Sequence, residues 1–219
     1  MLNNYLPFTK SKKLLNIDKN AKTVKGQKYG YLTAILYLAS SNLSGFNICP
    51  QSSLGCKKAC LVSSGHGAFK NVLLGRINKT RWYIQERKTF LMQLKKEIIQ
   101  FIKLAKRKEL TPCIRLNGTS DISWENTTIF SDFPNVQFYD YTKIYKRAVK
   151  YIKGQLPNNY HLTYSLNEDN KKLAFNILKL GGNISVVFRK YIPNNFKGFK
   201  VIDSDNSDLR FKDPKNVIC

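Results

Sequence analysis

The sequence predicts an α/β fold built on a parallel β-sheet, and three observations support this prediction. The chain has 219 residues, of which 42% are hydrophobic, which is enough to bury a core in one ordinary domain. Short apolar segments rich in β-formers alternate along the second half with segments of helical periodicity. No apolar run reaches the roughly 18 residues that a membrane span requires, so we expect a soluble protein without a membrane partner.

The first half of the chain predicts an arm, a buried strand, a loop and a long helical segment. Residues 1–28 are polar and basic, and we expect them to form an irregular N-terminal arm. Residues 31–39 form a continuous apolar run with β-formers, typical of a buried strand, and a Gly/Ser/Cys-rich loop follows over 40–67. The helical segment, 69–108, carries apolar side chains with a seven-residue repeat at Ile84, Leu91, Ile98 and Ala105.

The second half predicts six further strands that are joined in part by helices. The strand segments are 113–117, 136–140, 160–164, 184–188, 200–202 and 216–219. The helical segments are 122–130, 145–152 and 169–180. About seven strands alternating with helices fit a TIM-like barrel of parallel strands, complete or partial, with residues 29–219 as a single barrel-like domain. A doubly wound open sheet is the alternative.

The charge of the chain points to a polyanionic partner. Lys and Arg number 37 against 14 Asp and Glu, which gives a net charge of +23 and an isoelectric point near 9.9. A surplus of this size attracts nucleic acid, because protein cations that neutralise phosphates release condensed counterions. Aromatic residues stand among the cations at 81–83 and 143–147, a mixture that suits base stacking beside phosphate contacts. The alternative is that the charge only keeps the protein in solution.

Three of the five cysteines, Cys49, Cys56 and Cys60, lie in the loop that follows the first predicted strand. The N-terminus shows no secretory signal, and clustered thiols in an intracellular chain favour metal binding over disulfides. Three thiolates in an irregular loop suit an iron–sulfur cluster of the 4Fe–4S type, with one iron open or held by a fourth group. His66 is a nearby candidate for the fourth ligand, and Cys219 is a better one if the sheet closes into a barrel, because the last strand then lies beside the first. A zinc site and a set of free thiols are the alternatives.

Polar side chains follow the predicted strands at the edge where parallel α/β folds place their sites. The candidate catalytic residues are Arg115, Asp121, Asp140, Arg189 and Asp203, and the candidate cofactor-binding residues are Asn117 and Ser165. We expect Arg115, Asp140 and Asp203 to point into one mouth near the cysteine loop. Carboxylates beside guanidinium groups suit a polar substrate, or a cofactor with phosphate or amino-acid groups. The alternative is a structural network of paired charges, in which Asp121 serves only as a helix N-cap.

Several motifs of the sequence resemble a bacteriophage family named for gene product 88. Those around the cysteine loop are Asn42-Leu-Ser-Gly45, Cys49-Pro50, Gly55-Cys56 and Ala59-Cys60-Leu61. Those in the second half include Arg115-Leu-Asn-Gly-Thr-Ser-Asp121, Gln137-Phe-Tyr-Asp-Tyr-Thr-Lys143 and Asp208-Leu-Arg-Phe211. The resemblance spans residues 29–214. It implies a phage origin, and hence the cytoplasm of an infected cell, but it carries no established activity and no assigned catalytic residues.

The predicted layout is also similar to that of radical S-adenosylmethionine enzymes, in which a three-cysteine cluster loop follows the first strand of an α/β barrel. That resemblance implies S-adenosylmethionine as a cofactor. Two features of this sequence depart from that family. The gaps of six and three residues between the cysteines differ from the usual spacing, and Asn117-Gly-Thr-Ser120 stands where a Gly-Gly-Glu motif is expected.

The leading hypothesis is a phage iron–sulfur protein that acts on or near nucleic acid, in its enzyme form as a modifying enzyme similar to the radical S-adenosylmethionine family. One alternative is a non-catalytic module, in which an iron–sulfur or zinc site organises the loop and the basic surface binds DNA or RNA. Another is a barrel transglycosylase that exchanges a nucleobase, with Asp121 or Asp140 as the nucleophile and zinc in the loop.

Overall fold

The computed structural model describes residues 5–17, 21–63 and 65–219, which form a mixed α/β fold. The strands of the main sheet are β1 (Leu15–Ile17), β2 (Tyr31–Leu36), β3 (Thr111–Arg115), β4 (Gln137–Thr142), β5 (Tyr160–Ser165) and β6 (Ile184–Ser185). A separate hairpin consists of β7 (Asn195–Phe196) and β8 (Phe199–Lys200).

The described α-helices are α1 (Ala21–Lys25), α2 (Leu54–Lys58), α3 (Lys70–Gln85), α4 (Arg87–Arg107), α5 (Ile129–Asp132), α6 (Tyr145–Ile152) and α7 (Lys171–Lys179). Short 3-10 helices occur at Gly26–Tyr29, Leu61–Ser63, Gly65–Ala68, Trp124–Asn126 and Arg210–Lys212. None of the helices within these ranges combines the length and the hydropathy needed to cross a bilayer.

The strands of the main sheet follow chain order, with β1 at one edge and β6 towards the other. Strands β2 to β6 run parallel, so that Tyr164 of β5 lies opposite Ile184 of β6, and β1 runs antiparallel to β2. Beyond β6, Ile218 forms isolated parallel bridges with Ile184 on one side and Val201 on the other. Two short segments therefore extend the parallel pairing past the last named strand.

The parallel α/β architecture predicted from the sequence is confirmed, whereas closure into a barrel is not. No ladder within the described ranges joins β1 to the segment around Val201. The end of the chain also lies elsewhere than expected, because Ile218 pairs with β6 and not with β2. A side-chain ion pair joins α1 to the segment after Val201, since Lys22 pairs with Asp205 at 2.5 Å.

Most of the predicted elements occur, although their ends shift. Residues 145–152 form α6 with the predicted bounds. The predicted strands that become β3, β4 and β5 are 113–117, 136–140 and 160–164. The long predicted helix is divided at Glu86, whose φ of −131° and ψ of 54° are not helical. The rings of Trp82 and Tyr83 pack against Phe90 across this break, with centroids 5.4 and 5.3 Å apart, so that tertiary packing favours two helices over one.

The N-terminal segment contains a strand that the sequence did not predict. Strand β1 pairs with β2, and the N–H groups of Leu14 and Leu15 donate to the Glu97 carboxylate of α4 at 2.9 Å. Nearer the N-terminus, Leu6 donates to Gln85 of α3 and accepts from it. Over residues 5–17 the expected irregular arm is therefore ordered against the sheet and the helices. The rest of the arm includes residues 1–4 and 18–20, which lie outside the described ranges.

One face of the sheet packs against α3 and α4. The buried face of α4 carries Phe90, Leu94, Ile98, Phe101 and Ala105, each at most 1% exposed. These side chains form one apolar cluster with alternate residues of the strands, among them Leu32 and Ala34 of β2 and Ile114 of β3. Because successive strand residues point to opposite faces, the residues between them face the other side of the sheet.

The second face of the sheet is covered by the C-terminal segment. Leu209 packs on Cys113 and Tyr139, and the ring of Phe211 lies 5.1 Å from Tyr31 and 5.6 Å from Tyr139. Cys113 is fully buried beneath this segment as a small core residue. The sheet is therefore covered on both faces, as is usual for parallel strands, and the ends of the strands are left for polar side chains.

Candidate functional site

Three loops meet where β2, β3 and β5 end. In the loop after β2, the Ile48 carbonyl accepts a hydrogen bond from the Asp121 N–H of the loop after β3, at 2.9 Å. In the same loop, the Gly55 N–H donates to Oε1 of Glu168, which follows β5, at 2.6 Å. Hydrogen bonds from Ser53 and Gly55 lower the pKa of Glu168, so this carboxylate is charged and holds the loop by accepting these bonds. We call residues 40–60, which carry three cysteines, the cysteine rim.

The three cysteines of the rim are half-buried and interact electrostatically. The Cys49 thiol donates to the Thr119 carbonyl over 3.7 Å, and the Cys60 thiol donates to Ser40 Oγ over 3.1 Å. Cys56 lies in the first turn of α2, where its N–H donates to the hydroxyl of the helix cap. Burial raises the pKa of the Cys49 thiol to about 11, and the nearby charges of Cys60 and Cys56 act in the same direction.

The structure brings these predicted ligands into one region without arranging them as a finished metal site. Within residues 5–17, 21–63 and 65–219, no group of three or more His, Cys, Asp or Glu side chains is spaced to hold a metal ion. His66, the nearest histidine in sequence, is exposed and its ring packs on Phe69 at a centroid distance of 5.4 Å. The thiols would therefore have to approach one another to bind a metal.

A cation that the sequence analysis did not single out lies beside the rim. The Arg76 guanidinium of α3 stands over the Tyr37 ring at 5.0 Å, and its Nη1 atom is buried without a hydrogen-bond partner in the described chain. Burial lowers the pKa of Arg76, while the nearby Tyr37 and Cys60 raise it. A Cβ on Gly67 would lie 3.2 Å from this Nη1 and 2.7 Å from the Leu61 carbonyl, so the close packing here requires glycine.

Cys219 lies apart from the cysteine rim. Its thiol donates to the Ile184 carbonyl of β6 over 3.2 Å. Burial raises its pKa to about 11, against the lowering effect of Arg210, and the neighbouring Asp213 also raises it. Since its segment pairs beyond β6, Cys219 is five steps from β2 in the order of the sheet. The expectation that it completes the metal site depended on the last segment lying beside β2, and the structure does not place it there.

Asp121 belongs to a buried ion network at the end of β4. Arg147 of α6 donates to both carboxylate oxygens of Glu125 at 2.7 and 2.8 Å, and to Asp121 at 2.7 Å. The Asp121 carboxylate also accepts from the Thr142 hydroxyl and the Lys143 N–H, each at 2.8 Å. Burial raises the pKa of Asp121, and Arg147 opposes that rise. Asp121 thus belongs to a network of paired charges and is not a helix N-cap, since Ser123 is the N-cap residue of the short helix that follows, and its catalytic role stays a prediction.

Asn117 and Asp140 form a second buried group next to this network. Asp140 accepts from the N–H of Asn117 at 2.7 Å, from its side-chain amide at 3.1 Å and from the Tyr160 hydroxyl at 3.0 Å. The side-chain oxygen of Asn117, Oδ1, in turn accepts a hydrogen bond from the indole N–H of Trp124 at 3.2 Å. Burial raises the pKa of Asp140 to about 7. Asn117, which is predicted to bind a cofactor, links β3, β4 and the following turn through these hydrogen bonds.

Arg115 and Asp140 do not share one mouth, contrary to the prediction. Arg115 lies on the second face of the sheet, where it donates to Asp208 over 3.2 Å and stands 4.6 Å over the Tyr141 ring. The hydroxyls of Tyr139 and Tyr141 also donate to Asp208, at 2.9 and 3.1 Å. Burial acts to lower the pKa of Arg115, but Asp208 together with the nearby tyrosines outweighs it, and the pKa is raised. The alternation of side chains across a strand separates this cluster from Asp140.

The other predicted site residues occupy three separate places. Ser165 lies at the end of β5 and accepts a hydrogen bond from Lys143 Nζ at 2.9 Å, close to the loop that clamps the cysteine rim. Arg189 is exposed on the segment after β6. Asp203 is exposed and accepts from the Asp205 N–H at 2.8 Å and from the Asn206 amide at 3.0 Å, so it stabilises its own turn. Neither Arg189 nor Asp203 faces the rim through a described contact.

The two segments that mix aromatic and basic residues differ in the burial of their rings. Trp82 and Tyr83 are 4% and 3% exposed and lie in the main core. Arg147 is 4% exposed, whereas Tyr145 is half-buried and packs against the apolar cluster around Tyr164. The prediction of base stacking at 81–83 is therefore wrong, because both rings are buried, and stacking by Tyr145 at 143–147 stays a prediction.

Comparison with known families gives one match. The family model described as Gene product 88 matches residues 9–219. No match to the chain was found among curated proteins or among solved structures.

Proposed function

Because the chain belongs to the bacteriophage Gene product 88 family, whose match brings no activity with it, we propose a function from its own residues. The protein binds an iron–sulfur cluster through Cys49, Cys56 and Cys60 and acts as a nucleic-acid-associated protein of the phage. The observation that carries the proposal is the placement of three half-buried thiols on one loop at the ends of the parallel strands. Such strand ends are the usual place for sites in parallel α/β folds.

Hydrogen bonds from neighbouring loops support the position of the proposed site. The rim is held by Glu168 from the loop after β5 and by the Asp121 N–H from the loop after β3. Asp121 itself is held by Arg147. These bonds attach both sides of the rim to the fold, which leaves the thiol-bearing turns as the part that adjusts when a cluster binds.

The charges around the rim favour thiolate ligands. The Arg76 guanidinium lies close enough to Cys60 for Cys60 to raise the pKa of Arg76, and Lys57 and Lys58 follow Cys56 in α2. Cationic neighbours stabilise thiolates and an anionic cluster. Since burial holds the pKa of Cys49 at about 11, this thiol is protonated at neutral pH until a metal displaces the proton.

The ligand set favours an iron–sulfur cluster over structural zinc. Structural zinc sites take four ligands, whereas three cysteines can hold a cluster with one iron left open. Of the candidate fourth ligands, Cys219 donates to the Ile184 carbonyl of β6 and His66 packs on Phe69. Neither residue contacts the rim cysteines in the described ranges.

The buried hydrogen bonds favour a binding role over catalysis. The carboxylates of Asp121 and Asp140 each accept three hydrogen bonds from protein donors, which suits a structural network more than a nucleophile. The net charge of +23 supplies the attraction to nucleic acid that a binding module requires.

Anaerobic reconstitution with iron and sulfide tests the metal part of the proposal. We expect the wild-type protein to gain a visible charge-transfer absorbance that dithionite bleaches. We expect Cys49→Ser, Cys56→Ser and Cys60→Ser each to reduce the bound iron severalfold, because a bidentate site holds a cluster poorly. Cys219→Ser is the matched control and retains the cluster, since this residue lies beyond β6.

Two results would overturn this part of the proposal. One is uptake of zinc by the wild-type chain with no iron or sulfide. The other is equal loss of iron in Cys219→Ser and in the three rim variants, with circular dichroism showing that all four are folded.

A further inference from the structure

The exposed face of α4 carries five cations, with Met92 and Ile99 exposed among them. Its cations are Lys88, Lys96, Lys103, Lys106 and Arg107, all exposed. At 100° per residue these positions fall on one side of the helix, opposite the buried residues from Phe90 to Ala105. Helix α4 contains one acidic residue, Glu97, and this carboxylate is buried and accepts from the Leu14 and Leu15 N–H groups. Inside α4, no acidic group therefore offsets the exposed cations.

The basic face is long enough to follow a polyanion. Lys88 and Lys106 are 18 residues apart, which is about 27 Å along the helix axis at 1.5 Å per residue. Toward the C-terminal end of the helix, Gln100, Lys103, Lys106 and Arg107 line an open depression in the surface. Three cations around one depression suit the oxygen atoms of a phosphate group. Cations in the last turn also stabilise the helix dipole, but Lys88 and Lys96 lie outside that turn.

The N-terminal segment adds further cations along the same helix. Lys10 pairs with Glu86 just before α4, at 2.6 Å, and Leu14 is bonded to Glu97 further along it. The exposed Lys12 and Lys13 lie between these two attachment points. The segment therefore runs beside α4, on the side of the helix that carries Glu97.

We infer that the phosphate backbone of a nucleic-acid duplex docks along this face of α4. The exposed residues of the helix include no aromatic side chain, so the face offers no platform for the stacked bases of a single strand. Its exposed apolar residues are Met92 and Ile99, too few to insert into a membrane. Charge without aromatic anchors, and with only two exposed apolar side chains, is the pattern of sequence-independent contact with phosphates.

The docking face is separate from the cysteine rim. The C-terminal end of α4 leads through Lys108 to the beginning of β3 at Thr111, whereas the rim follows the opposite ends of the strands. The inference rests on the nucleic-acid part of the proposed function and not on the cluster. Loss of the cluster should therefore leave duplex binding through α4 in place.

Salt-dependent binding to a labelled DNA duplex of mixed sequence tests the inference. We expect the triple variant Lys96→Gln, Lys103→Gln, Lys106→Gln to weaken binding tenfold or more. The slope of log K against log salt is negative, and we expect the triple variant to make it less steep by about 2.7, or about 0.9 for each lost phosphate contact. The matched control is Lys171→Gln, Lys172→Gln, Lys179→Gln on α7, which removes the same charge from another exposed helix and changes the slope little.

Four other outcomes would overturn the inference, and each of them can be told apart from the rest. If the wild-type chain binds neither duplex nor single strand, the nucleic-acid part of the proposed function fails as well. If both triple variants weaken binding equally, only net charge matters and the α4 face is wrong. Tighter binding to a single strand than to the duplex would contradict the predicted partner. Binding to anionic lipid vesicles that alone depends on the α4 lysines would assign the face to a membrane.

Discussion

At the scale of single residues, the buried polar side chains divide into groups on opposite faces of the sheet. Asp121, Asp140 and Arg147 belong to the face packed against helices, and Arg115 and Asp208 to the face covered by the C-terminal segment. Arg147 pairs with Asp121 in the first group, and Arg115 pairs with Asp208 in the second. Breaking a buried pair of this kind usually costs about 3–5 kcal/mol, because one charge is left without its partner.

Asp140→Asn is expected to change how stability depends on pH. Burial raises the pKa of Asp140 to about 7 in the folded protein, against about 3.9 in an unfolded chain. The folded state therefore binds its proton more tightly, and the stabilisation is complete below about pH 4 and lost as pH rises through about 7. Relative to the variant, the wild-type protein should lose unfolding free energy, on the order of a few kcal/mol, across that window.

Urea unfolding at a series of pH values from acid to neutral measures this difference. The comparison with the variant is needed because His161, whose pKa burial lowers to about 4, has the opposite pH dependence in an overlapping range. A constant difference between wild type and Asp140→Asn over the whole series would show that the pKa of Asp140 is the same in the folded and unfolded states, and would contradict the rise caused by burial.

At the scale of elements, the junction between β3 and its following loop depends on a glycine. A Cβ on Gly118 would lie 2.7 Å from side-chain atoms of Ile35 and Tyr37 and 2.8 Å from the Leu36 carbonyl. The Gly118 N–H also donates to that carbonyl at 3.0 Å. Close contact between the β3 loop and the end of β2 thus positions Thr119, which accepts from the Cys49 thiol.

Gly118→Ala is expected to destabilise the protein by about 1–3 kcal/mol, since backbone on the neighbouring strand cannot move aside easily. The control is Gly75→Ala in α3, where a Cβ would meet nothing within 4 Å. Alanine in that helix interior should instead stabilise the fold by about 0.5–1 kcal/mol. Thermal unfolding of both variants checks the prediction. Equal effects of the two substitutions would contradict the close contact at Gly118.

The sequence predicts elements well where local pattern and tertiary packing agree. Helix α6 has the predicted bounds, and its apolar side faces a core. The break at Glu86 could not be predicted, because the apolar repeat continues through it from Ile84 to Leu91. Ile84 is nevertheless 40% exposed, since the helix direction changes before Phe90. Strand β1 was missed because its three residues are defined by pairing with β2 and not by a pattern of their own.

At the scale of the whole molecule, the sequence located the cysteine loop but not the residues around it. Clustered cysteines after a strand are a local signal, and the structure places them at the strand ends. The position of Arg76 depends on how α3 packs, and that of Cys219 on the insertion of the last segment beside β6. Such long-range contacts leave no periodic trace in the sequence. The predicted mouth failed for the same reason, since Arg115 and Asp140 lie on opposite faces.

The proposed function requires above all that the cysteine rim holds an iron–sulfur cluster. The direct measurement is the iron, acid-labile sulfide and zinc content of the chain when it is purified without oxygen from the cells that produce it. We expect iron and sulfide in nearly equal amounts, about four of each per chain for a complete 4Fe–4S cluster, with little zinc. One zinc per chain without sulfide, or no metal at all, would contradict it.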